Sequence, residues 1–388
     1  MNNDFISISD DGRALIHGKP IDEFLSNENK PQFIISLDKI IQNYRMLKNE
    51  IDREFKESDY RFKVFYSLKT NADPAILRAL AAEGCGVQVV SEYELDLALK
   101  TGFKSENINA GGVAKSDRYV SQCMQVKPYM VYVDSEEEFN YLIEKSNDSP
   151  THISIGLSIQ DKQGSKIGIS KEKIPCILAS KGKYIQSLHY HAGTQQTTVN
   201  QMTNTLNTIL GLLKKQDKEN DLHSINIGGG FPSFAHMPDG YLRKLFPAIR
   251  NFLNQSHNAL GKITDLCIEP GRLLVADAGI LLTRVKAIKR DYPDSWIFLD
   301  AGMNAINKQF SKARVRFLIA NRMQDSYNHP FNIAGPLPSR VDTFTKHYPL
   351  PKKTKVGDPV IITNAGAYTL PFLMNFCFPR PSITIIDS

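Results

Sequence analysis

The sequence predicts an α/β protein, because short apolar, β-branched runs alternate with helical segments and then give way to strands with little helix between them. Eight runs carry the first pattern: FKVFYSLK (62–69), GVQVVS (86–91), NINAGG (107–112), YMVYVD (129–134), HISIGLSI (152–159), IQSLHYH (185–191), SINIGGG (224–230) and DLCIEPG (265–271). Eight strand–helix units over roughly 240 residues match the size of a parallel (β/α)8 barrel, and a doubly wound sheet would show the same alternation. Polar residues then fall at the C-terminal ends of these runs: Lys69, Ser91, His191, the Gly228, Gly229, Gly230 triplet and Glu269. In a barrel that is the face where active sites are built.

Between the runs lie helical segments such as DPAILRALAAEG, with apolar positions three and four residues apart and Gly84 at its end, and QMTNTLNTILGLLKK. After Arg272 the pattern changes. WIFLD, DPVIITN and SITIID follow one another through turns, so a mostly antiparallel β domain is expected there. The first 30 residues also contain short strand-like runs that could pack with it. The expected division is therefore a barrel over 31–275 and a β domain formed by 1–30 with 276–388.

Composition narrows the function classes. The chain has 388 residues, 41% of them hydrophobic and 23% charged, enough for one large core or two moderate ones. No basic segment followed by an apolar stretch opens the sequence, and no apolar run reaches about 18 residues; the expectation is a cytoplasmic protein with no membrane partner. Cys85, Cys123, Cys176, Cys267 and Cys377 are widely spaced and never paired as C-x-x-C, which points to buried free thiols and suggests neither disulfides nor a metal site. A formal charge of +6 without a basic block interleaved with aromatics argues against nucleic acid and for an anionic small molecule.

The chemistry follows from residue types. A lysine ending a buried strand is costly unless its charge is used or lost, and desolvation makes an amine more nucleophilic, able to condense with an aldehyde. Taken alone, Lys69 reads more readily as a snorkelling or ion-paired residue than as a catalytic one. The three glycines after SINI let backbone N–H groups surround an anion, as phosphate loops do. In EPGR, Arg272 can clamp a phosphate and Glu269 can hold a heterocyclic nitrogen protonated. HYHAGTQ adds an imidazole, His191, that can lie over a flat ring and a hydroxyl, Thr194, that can reach phosphate. Lysine, anion loop, acid and imidazole on one face are the parts that pyridoxal phosphate requires.

With these motifs in place, the chain resembles the fold-type III pyridoxal-phosphate decarboxylases, the family of diaminopimelate, ornithine and arginine decarboxylases. YSLKTN is similar to its lysine motif, LHYHAGTQ to its histidine motif, INIGGGFP to its phosphate loop, EPGR to its pyridine-nitrogen motif and NAGAYT to its cofactor tyrosine motif, in the family's order. The resemblance covers nearly the whole chain. It implies an alanine-racemase-like barrel plus β domain, a head-to-tail homodimer with shared active sites, and loss of carbon dioxide from an amino acid to leave an amine. It further implies that Lys69, His191 and Glu269 are catalytic and that Thr194, Gly228, Gly229, Gly230, Gly271, Arg272 and Tyr368 bind the cofactor.

The departures concern the substrate. Where the family reads G-P-x-C followed by an acid, this chain reads GPLPSRVDTF: Pro338 replaces the proton-donating cysteine and Ser339 the acid that holds a distal ammonium. Lys69 or water could protonate instead. Gln88 also stands where an acid is common. A lost acid argues against a free distal ammonium, whereas Lys308, Lys312 and Arg340, with Ser339 and Asp342, are candidates to contact an anionic distal group. Arg314 and Arg316, at strand-like spacing, fit a solvated basic face. The expectation is a citrylated diamino acid such as N-citrylornithine, used in carboxylate siderophore biosynthesis. Diaminopimelate, ornithine or lysine decarboxylation and amino-acid racemisation are the alternatives.

Overall fold

The structure is a computed structural model that describes residues 5–25, 30–147, 153–160, 164–191, 193–215, 220–290, 294–306 and 314–387. The chain divides into two compact units, Asn43–Leu273 and Met1–Gln42 with Leu274–Ser388. In the second unit β1 (Ile6–Ile8), β2 (Ala14–Ile16) and β3 (Lys19–Pro20) form a small antiparallel sheet. Next comes β4 (Gln32–Ser36), with Phe33, Ile34 and Ile35 all fully buried. It pairs with strands of the β unit, so residues 32–36 belong to that sheet and not to the barrel unit that was expected to start at 31.

The barrel unit holds β5 (Arg61–Ser67), β6 (Gly86–Val89), β7 (Ile108–Ala110), β8 (Met130–Val133), β9 (Ile155–Ile159), β10 (Ser187–Tyr190), β11 (Ser224–Asn226) and β12 (Asp265–Ile268). All eight expected runs contribute a strand, every neighbouring pair is parallel, and β12 hydrogen-bonds β5 to close the barrel. The doubly wound alternative is thereby excluded. Closure explains the sequence pattern: β6, β7, β8, β9 and β12 are buried at every position, as strands covered by side chains within and helices outside must be. The helix Pro74–Ala82 starts where Asp73 accepts from the N–H of Ala75 at 2.8 Å, and Gly84, with φ of 77°, ends it.

The β unit continues with β13 (Gly279–Arg290), β14 (Ser295–Leu299), β15 (Phe317–Ile319), β16 (Tyr327–Ala334), β17 (Thr343–Pro351), β18 (Pro359–Ile362) and β19 (Ser382–Ile386). Most pairings are antiparallel; β14 with β16 and β4 with β19 are parallel. Phe317, Phe331 and Phe344 fill one core of this unit with Ile297 and Leu299, and Phe5, Ile16 and Ile21 fill another with Ile34, Ile280 and Ile361. Cys85, Cys123 and Cys267 are buried thiols, but Cys176 and Cys377 are exposed, a correction to the expectation for those two. Among the described residues no helix is long and apolar enough to cross a membrane.

Candidate active site

Lys69 does not end a strand. β5 stops at Ser67, whose N–H donates to the Pro270 carbonyl at 3.1 Å, and a three-residue turn, Leu68–Thr70, follows. Leu68 and Thr70 are buried and Lys69 is exposed. The turn is locked because Thr70 fits against Gly271, where an added Cβ would fall 2.2 Å from Thr70 Oγ1. Burial in a strand therefore does not prepare this amine. Its charge is instead felt by two buried carboxyls, Glu94 and Glu269.

Glu269 follows β12 and is 8% exposed. Its Oε1 accepts from Asn226 Nδ2 at 2.7 Å, and its Oε2 lies 3.6 Å from His189 Nε2, an ion-pair distance beyond hydrogen-bond range. Burial alone would raise this carboxyl. The His189 charge, the Asn226 amide and Lys69 outweigh it and bring Glu269 down to about 2. The imidazole is set in turn by Ser158 Oγ at 3.2 Å from Nδ1 and by the Tyr132 ring, 5.0 Å away between centroids.

The triple-glycine loop is built around the same groups. Asn226 Oδ1 accepts from Gly228 N–H at 2.8 Å, His191 Nδ1 accepts from Gly229 N–H at 3.1 Å, and Glu269 N–H donates to the Gly228 carbonyl at 2.8 Å. Side chains have no room there. A Cβ on Gly228 would lie 2.8 Å from His191 Nδ1, one on Gly229 2.4 Å from the Glu269 carbonyl, and one on Gly230 2.4 Å from the Gly193 carbonyl. Gly228 and Gly230 also take φ of 67° and 88°. Two of the three N–H groups thus donate to neighbouring side chains, and the buried Gln196 Nε2 beside Gly230 has no hydrogen-bond partner among the described residues.

The remaining barrel positions fall as follows. His191 and Thr194 are exposed beyond β10, and Arg272 opens the short helix Arg272–Val275. Ser91 caps the helix Glu92–Lys100 by accepting from Glu94 N–H at 3.2 Å, and Glu94 returns a bond from Val90 N–H at 2.8 Å. Gln88 accepts from Ser67 Oγ at 3.2 Å. Sequence reasoning missed Asn226, His189, Glu94 and Gln196. The first two lie two residues before Gly228 and His191, so the period of two that places a strand's side chains on one face was a usable signal.

In the β unit, Tyr368 is half-buried with φ of 55°. Pro338, Ser339 and Arg340 are exposed. Asp342 differs from the expected substrate contact: it is 3% exposed, with Oδ1 accepting from Met303 N–H at 2.6 Å and Oδ2 from Leu337 N–H at 2.8 Å. Its carboxylate folds the loop. Arg314 and Arg316 are both exposed, in keeping with a solvated face, and Lys308 and Lys312 lie outside the described residues.

Residues 37–276 match the family described as pyridoxal-dependent decarboxylase, pyridoxal binding domain. The chain belongs to this family. Among its relatives are the diaminopimelate decarboxylases of Methanocaldococcus jannaschii, 28% identical over 97% of this chain and 90% of the relative, and of Staphylococcus aureus, 27% identical over 85% and 83%. The M. jannaschii enzyme in co-complex with L-lysine superposes with a TM-score of 0.88 and 26% identity, covering 100% of this chain and 93% of that one. The protein is a pyridoxal-phosphate-dependent amino-acid decarboxylase, a carboxy-lyase with an alanine-racemase-like fold.

The residues fit the cofactor. A buried carboxylate held ionised, and the unpartnered Gln196 amide beside the glycine loop, suit a flat cationic ring carrying a phosphate. When bound, pyridoxal phosphate supplies the electron sink for the carbon–carboxylate bond that breaks.

Proposed function

We propose that this decarboxylase removes the α-carboxylate of an amino acid whose distal end bears carboxylates in place of a free ammonium, the best candidate being a citrylated diamino acid such as N-citrylornithine, in carboxylate siderophore biosynthesis. The observation that supports this is the state of the GPLPSR segment. Ser339 stands where the resemblance calls for an acid, Arg340 follows it, and Asp342 in the same segment has both oxygens accepting from backbone N–H groups. A distal ammonium would meet a cation and no anion there; a distal carboxylate would meet Arg340.

In this proposal Lys69 would hold the cofactor through its amine until substrate arrives, and His191 would lie against the ring. Thr194, Gly228, Gly229, Gly230, Gly271, Arg272 and Tyr368 hold the phosphate end, and Glu269 keeps the ring nitrogen protonated. The α-carboxylate leaves as carbon dioxide, and the electron pair at Cα takes up a proton from Lys69 or water, giving the amine. The enzyme is proposed to be a cytoplasmic homodimer with shared active sites, a state that light scattering of the pure protein reads directly.

The test is carbon dioxide release from N-citrylornithine against free ornithine, lysine and diaminopimelate. The proposal expects kcat/KM at least about tenfold higher for the conjugate, a difference of some 1.4 kcal/mol. Faster release from a free diamino acid sinks it. A second reading, diaminopimelate decarboxylase, is favoured by the curated relatives, all of which carry that name in the M. jannaschii, S. aureus and Helicobacter pylori examples. Diaminopimelate also carries a distal carboxylate for Arg340. A racemase would return the amino acid with its carboxylate intact.

A further inference from the structure

β14 is two-faced. Ile297 and Leu299 are each 1% exposed in the core of the β unit, whereas Trp296 and Phe298 turn to the opposite side, stacked at 6.1 Å between ring centroids with 18° between planes. Apolar rings on the outer face of an amphipathic strand stand out, because that face ordinarily carries polar side chains. They line a cleft of about 770 Å³, within the range of small-molecule sites.

Cations surround the aromatic pair. Lys289, the register partner of Trp296 on β13, places its Nζ 5.6 Å from the centre of the Phe298 ring. Arg340, from the altered segment, and Lys346, on β17, line the same cleft. Asp294 is its one freely placed acid, because Asp342 has both oxygens on backbone N–H groups. Three cations line the cleft against two carboxylates, of which Asp342 is bound by backbone N–H groups, and Ser339 and Thr343 add hydroxyl donors.

We propose that this cleft is a binding site for a small polycarboxylate, or for a carboxylate-rich acyl group, with its methylene carbons on Trp296 and Phe298 and its carboxylates on Lys289, Arg340 and Lys346. Three separate cations can each take a carboxylate, and a flexible aliphatic skeleton suits two rings set side by side along one strand. The site lies wholly within the β unit. It rests on the proposed substrate reading through Arg340 and deepens it, and binding here is scored without turnover.

Trp296 is the chain's only tryptophan, which makes it a built-in reporter. Citrate and tricarballylate would be titrated into the full-length holoenzyme at constant ionic strength, followed by tryptophan emission and by calorimetry, with acetate, inorganic phosphate and AMP as comparison ligands. The expected result is saturable binding of the two tricarboxylates, weaker for acetate and phosphate. It should weaken roughly tenfold or more in Lys346→Met and in Lys289→Met, a loss of about 1.4 kcal/mol each. Both lysines are exposed, so these substitutions leave the fold intact.

Absence of heat and of emission change overturns the proposal, as does citrate binding that neither variant weakens. AMP binding tighter than citrate overturns it in favour of a base-stacking site. Emission that follows protein concentration and ignores citrate overturns it in favour of a surface for a second copy of the chain. An enzyme that binds citrate here yet decarboxylates free ornithine fastest keeps this inference and loses the proposed substrate.

Discussion

Two buried carboxylates, one in each unit, behave in opposite ways. Glu269 in the barrel is brought down to about 2, whereas burial raises Asp342 in the β unit above its ordinary value despite the N–H groups of Leu337 and Met303. Both sit against glycine backbone: Gly229 abuts the Glu269 carbonyl, and Gly302 and Gly335 abut the Asp342 side chain. The difference lies in the partners. Glu269 faces a histidine, a side-chain amide and the Lys69 charge, which favour the anion and leave it available to a ligand. Asp342 faces two backbone donors that fix a loop and use both of its oxygens. A buried carboxylate is thus a functional group where mobile charges tune it and a structural one where the backbone does.

The sharpest break of this comparison is Glu269→Gln. We expect kcat to fall on the order of 10²–10³-fold, with the thermal midpoint lowered as well because the amide lacks the stabilised charge; steady-state kinetics beside calorimetry would read both. Asp342→Ala should cost stability and spare activity. It leaves two buried N–H groups without acceptors and should cost roughly 2–4 kcal/mol in denaturant unfolding, while per-molecule activity of the folded fraction is retained. If Asp342→Ala instead raises KM with stability intact, the carboxylate contacts substrate after all.

The pH dependence sharpens the same contrast. Because the Glu269 carboxyl lies below its unfolded value, it contributes stability that is present above about pH 4.3 and lost as pH falls through about 2, in total roughly 3 kcal/mol. Acid unfolding of Glu269→Gln should lack that component. In His189→Phe, loss of the neighbouring imidazole should raise the Glu269 carboxyl toward its unfolded value, so the stability lost on acidification becomes smaller. The smallest expected effect is that of Arg314→Gln and Arg316→Gln, exposed positions whose replacement should shift stability by no more than about 0.5 kcal/mol and leave KM unchanged.

The motif residues at strand ends were legible because barrel geometry ties position in sequence to position at the mouth: Lys69, His191, the glycine triplet and Glu269 all follow parallel strands of one closed sheet. The groups that tune them were harder to find. His189 and Asn226 are ordinary strand residues until β10, β11 and β12 lie side by side and bring them to Glu269. Asp342 looked like a ligand in GPLPSRVD because nothing local reveals that Met303, 39 positions earlier, supplies its hydrogen bond.

The sequence by itself determined the eight strand–helix alternations, the β sheet that follows them, the decarboxylase motifs and the presence of Ser339, since each is written in periodicity or in residues adjacent along the chain. Closure into a barrel was seen in the structure. Only the tertiary structure decided that Lys69 sits exposed on a turn, that Glu269 is held anionic while Asp342 is occupied, that β4 belongs to the β unit, and that Trp296 and Phe298 floor a cationic cleft. Those outcomes depend on pairings between distant strands, and a side chain's charge and exposure are set by what such pairings bring beside it.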